Sequence, residues 1–148
     1  MSFEHGPYVQ AACFCDMVLE DKTGVLSLIR IIDTLTHREY ASDPPREMPQ
    51  FSHRMKLVLM LKFGRAQGRF AIRVMPELPT GEADDPVSIN VHLTGEERGH
   101  NVVADLQYVF RMEGLYWFRV FLDDEPLTAI PLRVKYDPDT VRTGTSEP

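Results

Sequence analysis

Apolar residues recur at every second position along most of this chain, in runs cut by clusters of Gly, Pro, Asp and Glu. A period of two sends alternate side chains to opposite faces of a strand, whereas a helix stripe recurs at three and four. The first run, Val9, Ala11, Cys13, Cys15, Met17 and Leu19, is apolar at each odd position. That stripe is expected to face the interior. Glu20-Asp21-Lys22-Thr23-Gly24 reads as a tight turn, with Gly24 free to take positive φ. Val25 to Thr36 is apolar on both sides. It suits a central strand covered on two faces, although a short buried helix has the same pattern.

His37 to His53 reads as a long connection, because Pro44, Pro45 and Pro49 deny it regular pairing. The alternation then resumes. Met55, Leu57, Leu59, Leu61 and Phe63 form one inward face, and Gly64–Gly68 closes a hairpin onto Phe70, Ile72 and Val74. Pro76, Pro79, Gly81 and Pro86 mark the next loop. Val87 to Leu93, Val102 to Met112, Tyr116 to Leu122 and Thr128 to Tyr136 supply the remaining inward faces. About eight strands at short spacing, with no convincing helix, predict an antiparallel β-sandwich or barrel. The 148 residues suffice for one self-supporting core. The expected organisation is one domain over 1–136 and a loose tail over 137–148.

Met112-Glu113-Gly114-Leu115-Tyr116-Trp117-Phe118 resembles the start of strand F in immunoglobulin-like domains. There a small residue two before a Tyr supports a tyrosine corner, a phenol bonded back to upstream backbone. Phe118 stands where the family's second cysteine would be. The resemblance therefore leaves Cys15 without a cross-sheet disulfide partner and excludes an antibody-type domain. A broader similarity, carried by Cys15-Asp16, Gly24, Leu26–Ile29, Gly114–Tyr116 and Ile130–Val134, resembles a bacterial family of small cytoplasmic immunoglobulin-like proteins with a domain of unknown function. It implies an immunoglobulin-like sandwich and transfers no catalytic residue.

A net charge of −6 argues against general nucleic-acid binding and against adhesion to anionic membranes. No apolar run approaches the roughly 18 residues of a membrane-spanning helix, and the start of the chain does not read as a signal peptide. Cys13 and Cys15, two apart on a strand, are poorly placed for a mutual disulfide. A cytoplasmic protein is the expectation.

Candidate chemistry is sparse. The two thiols read as core filler, since no zinc spacing accompanies them. Asp16, Asp33 and Asp105 lie in apolar strands. Each needs a partner, and Asp16 is either a catalytic base or a carboxylate bonded to backbone or to an arginine. His37 and His53 bracket the long connection and could meet at its base around a metal, and the third reading, ranked last, is an enzyme with a loop-borne site at these histidines. No phosphate loop, nucleophile elbow or His-Glu-x-x-His occurs. No catalytic residue, metal ligand or cofactor is assigned, and the protein is expected not to be an enzyme. If successive strands alternate in direction, the acidic turns Glu20-Asp21, Glu96-Glu97 and Asp123-Asp124-Glu125 emerge at one end. That arrangement is the alternative reading, a sandwich that binds a small ligand or a cation through acidic loops.

Charge segregation is more informative. Arg30, Arg54, Lys56, Lys62, Arg69, Arg73, Arg111, Arg119, Arg133 and Lys135 fall inside the strands, while most acids fall in connections. Such a face is either a solvated surface resisting edge aggregation or a docking surface for an acidic partner. Leu115, Trp117 and Phe121 lie on the outward phase of their strand, as Val58 and Met60 do on theirs. They are covered by another segment of the chain, or they form a homo-oligomer or partner-protein surface. The expected contact face comprises Trp117, Arg119 and Phe121, with Arg69 and Arg73 as an electrostatic flank. This reading is a non-enzymatic interaction or structural module of a bacterial cytoplasm.

Overall fold

The computed structural model describes residues 6–62, 67–94 and 99–140. Nine strands run through them: β1 (Tyr8–Glu20), β2 (Leu26–Ile32), β3 (Thr34–Ala41), β4 (Phe51–Lys62), β5 (Gln67–Glu77), β6 (Val87–Thr94), β7 (Gly99–Phe110), β8 (Gly114–Leu122) and β9 (Glu125–Thr140). Alternation gives most of these strands a face to bury, and two sheets packed face to face satisfy that demand. The first sheet has the order β2-β1-β4-β7 and the second β3-β9-β8-β5-β6. Among the described residues only β3 with β9 is a parallel pair. The result is an all-β, immunoglobulin-like sandwich.

Phe14 from the first sheet meets Phe118 from the second edge-to-face, with ring centroids 4.8 Å apart. Both rings are fully buried, and such a contact adds about 0.5–1.5 kcal/mol to the area they bury. Tyr116 forms the expected corner. Its hydroxyl donates to the Met112 carbonyl at 2.8 Å and accepts from the N–H groups of Arg111 and Met112, each at 3.2 Å. Gly114 has φ +133°, and a Cβ there would fall 2.7 Å from Cβ of Pro79. Only glycine fits that position without displacement.

Several expectations need correction. The apolar odd stripe of β1 does not line the core. Phe14 and Ala12 pack inward, while Met17 and Leu19 on the opposite phase are 50% and 52% exposed. A register irregularity between Val9 and Ala11 switches the phase, so Val9 also packs on the core. Val25 to Thr36 is neither one central strand nor a helix. The chain leaves the first sheet after Ile32 and enters the second at Thr34, giving two edge strands and hence nine strands instead of eight. Only Ser42–Gln50 of the long connection is unpaired. Within it Met48 is buried, and the Tyr136 hydroxyl donates to the Pro45 carbonyl at 2.7 Å. The tail expected from Asp137 begins inside β9, because Asp137 to Thr140 pair with Arg38 to Ala41.

The extra strand reverses the direction of everything after it. The Glu20-Asp21 turn therefore lies at the end of the sandwich where β4 begins and β7 finishes, and Asp123-Asp124-Glu125 lies at the opposite end. The acidic turns do not converge. Glu96-Glu97 falls outside the described residues.

Candidate interaction surface

Strand β8 buries Tyr116, Phe118, Val120 and Leu122, and pleating sends Leu115, Trp117, Arg119 and Phe121 outward. On β5 the same rule buries Ile72 and Val74 and turns Arg69, Arg73, Met75 and Glu77 outward. Register joins the two strands: Arg73 lies opposite Phe121, Met75 opposite Arg119, and Glu77 opposite Trp117. All five sequence-predicted contact residues thus share the outer face of the second sheet. Arg69 is more remote from the aromatics, opposite His92 of β6.

The side chains form a ladder of cations on rings. The Arg73 guanidinium lies 4.8 Å from the Phe121 centroid, and that of Arg119 lies 5.6 Å from the Trp117 ring. Glu77 accepts from Nε of Arg119 at 3.0 Å and from its NH2 group at 3.2 Å, a bidentate fork that fixes the plane of the guanidinium. The Arg119 charge holds the Glu77 carboxyl below the usual carboxylate range, chiefly through these hydrogen bonds. Glu77 is a site residue that sequence reading misses. Pro76 and Pro79 made this stretch look like a loop, yet β5 continues through Pro76 beyond its last pairing with β6.

Arg133 and Lys135 of β9 add to this face, with Arg133 opposite Leu115. Arg38 on β3 is paired with Asp137 at 2.7 Å. Among the described residues, Arg69, Arg73, Arg133 and Lys135 have no carboxylate partner. Nε of Arg73 is buried without a hydrogen-bond partner. The face carries four unmatched positive charges around half-buried aromatics, inside a molecule whose net charge is −6.

The other candidates are engaged elsewhere. Asp16 is paired with Arg30, and Asp105 with Lys56, which keeps the Asp105 carboxyl low. Asp33 is exposed at the crossing between the sheets, so its carboxylate needs no protein partner, and its backbone carbonyl accepts from the Arg133 N–H at 3.0 Å. Asp21 caps its own turn by accepting from the Thr23 and Val25 N–H groups at 2.8 and 3.1 Å, and Asp123 accepts from the Ala71 N–H at 3.0 Å. His37 stacks on Phe51, with ring centroids 4.3 Å apart, and contacts Glu39 at 3.1 Å. Among the described residues no group of three or more His, Cys, Asp or Glu is placed to hold a metal ion. Tyr108 donates to Asp84 at 2.6 Å. Burial, then this bond, raises the phenol, and the bond lowers the acid. Cys13 and Cys15 are free thiols on the outer face of the first sheet, where burial raises both. Cys15 is fully buried, as expected of a thiol that fills packing space, whereas Cys13 is half-buried, and neither belongs to the main cluster between the sheets.

Residues 10–135 match a family of unknown function, DUF6941. No curated protein matches the chain. Among solved structures, an immunoglobulin-like protein from Pseudomonas aeruginosa aligns at 14% identity and TM-score 0.40, covering 90% of this chain and 100% of its own. A β-glucosidase from Listeria innocua aligns at 12% identity and TM-score 0.46 over 75% of this chain, which spans only 15% of that enzyme. The alkylpurine DNA glycosylase AlkC from Pseudomonas fluorescens aligns at 11% identity and TM-score 0.39 over 66% of this chain and 27% of its own.

Proposed function

The chain belongs to DUF6941, a family of unknown function, and from that premise we propose that it is a non-enzymatic protein-interaction module. Its contact face is the outer surface of the second sheet, and its partner presents an acidic segment with an apolar or aromatic anchor. The observation that carries this reading is the ladder of Arg73 over Phe121 beside Arg119 over Trp117, in which Arg73 lacks a carboxylate, as do Arg69, Arg133 and Lys135 around it. Arg and Trp are the residue types that dominate binding energy at interfaces. A partner carboxylate at Arg73 would complete a group whose charge is already oriented by the ring beneath it. The module is assigned to a bacterial cytoplasm, where thiols such as Cys13 and Cys15 stay reduced.

Trp117 is the single tryptophan of the chain, so its emission reports this surface directly. Titration with an Asp/Glu-rich peptide carrying one aromatic residue is expected to shift that emission. The affinity should fall with added salt, and Arg73→Ala should weaken it roughly tenfold or more. An unchanged Trp117 emission across all acidic peptides, together with native partners that still bind Trp117→Ala, would sink the proposal.

A further inference from the structure

The outer face of the first sheet differs from the basic one. Register places Ile31 beside Cys15, Ile29 beside Met17, and Cys13, Val58 and Val103 in one row across three strands. Ile31 is 63% exposed, Met17 50%, Val103 42% and Ile29 39%, so the patch is open and contiguous. Cys15 and Val58 are fully buried yet stand outside the core cluster, at the floor of this patch. Isolated exposed apolar residues are ordinary, whereas a contiguous patch marks an interface.

We infer that this face is where two copies of the chain associate, sheet against sheet about a two-fold axis. Two observations single out a second copy as the occupant. The first is charge. Two of the charges at the border of the patch are matched within the molecule, Arg30 by Asp16 and Lys56 by Asp105, while Arg54 bonds only to the neutral Gln107 at 3.4 Å. An ionic partner finds little beyond Arg54 to engage there, while an identical apolar patch suits the exposed Met17, Ile29 and Ile31. Two copies of the basic face would instead repel. The second is size. The whole outer face of the four-stranded sheet, the apolar patch together with its bordering charges, spans roughly 700–800 Å², close to the ~800 Å² per partner of a stable interface. A two-fold contact needs one self-complementary patch, and this face provides it.

The test is sedimentation of the full chain across a dilution series, beside Ile31→Lys, Met17→Lys and the milder Ile31→Thr, each checked for a wild-type melting transition. The wild type is expected at about twice 17.0 kDa, and each Lys variant at the monomer mass. Ile31→Thr should weaken association at least tenfold, and it preserves β-propensity if a Lys variant fails to fold. Trp117→Ala should remain a dimer, which separates this inference from the partner surface on the other sheet. A wild type that is monomeric at every concentration overturns the inference. So does a dimer that survives Ile31→Lys, an Ile31→Thr dimer as tight as the wild type, or a dimer that Trp117→Ala dissolves.

Discussion

The two outer faces of the sandwich are built from strands of similar length and alternation, yet they solve different problems. On the second sheet, Trp117 and Phe121 carry arginines across their rings, and Arg73 together with three further cations, Arg69, Arg133 and Lys135, lacks a counter-charge. On the first, Met17, Ile29 and Ile31 lie open beside two ion pairs closed within the molecule, Arg30 with Asp16 and Lys56 with Asp105. The contrast shows that outward apolar residues do not have one meaning. In the readings proposed above, the face with unmatched charge takes a foreign acidic partner and the face with paired charge takes a second copy. In both sheets the fold itself rests on the opposite phase of the same strands.

That division can be broken most forcefully on β1. Phe14→Ala removes a fully buried ring that packs on Phe118 and is expected to cost about 3–5 kcal/mol in denaturant unfolding. On β8, Tyr116→Phe keeps the ring and removes a hydroxyl with three backbone partners. A loss of about 1–3 kcal/mol is expected, with the surface at Trp117 still able to bind. Met17→Ser should change monomer stability within about 0.5 kcal/mol, measured below the concentration of self-association. A loss comparable to that of Phe14→Ala would mean that the outer stripe belongs to the core after all.

The smallest effect sharpens the basic face. Arg119 holds the Glu77 carboxyl low, so the pair's contribution is complete above the unfolded value of about 4.3 and is lost as pH falls through the lower folded value. Trp117 emission should therefore change in acid below about pH 4 as Arg119 is released. In Glu77→Gln that acid step should be absent. An identical acid step in the variant would show that the fork does not set the geometry of the face.

Much of this was legible in the sequence, and the failures have physical causes. Alternation identified the sandwich, and Gly114 with Tyr116 identified the corner, because both patterns are local. Trp117, Arg119, Phe121, Arg69 and Arg73 share one outer face, since outward phase on β8 and β5 follows from counting by two. The phase of β1 was not legible. Phe14 makes one face apolar, Cys13 to Leu19 make the other apolar, and only pairing with β4 decides between them. Val25 to Thr36 misled for a related reason: it is apolar on both sides because its halves are edges of different sheets. Missing that crossing at Asp33 inverted the parity of the later loops and brought the acidic turns together on paper alone.

The central claim, that the second sheet's outer face takes an acidic partner, is tested most directly by titrating the single tryptophan. The same Asp/Glu-rich, aromatic-bearing peptide is added to wild type, Arg73→Ala and Ile31→Lys at low and high salt. Wild type and Ile31→Lys should bind alike and lose affinity with salt, and Arg73→Ala should bind roughly tenfold more weakly or worse. Equal binding by wild type and Arg73→Ala, or binding abolished by Ile31→Lys alone, would contradict it.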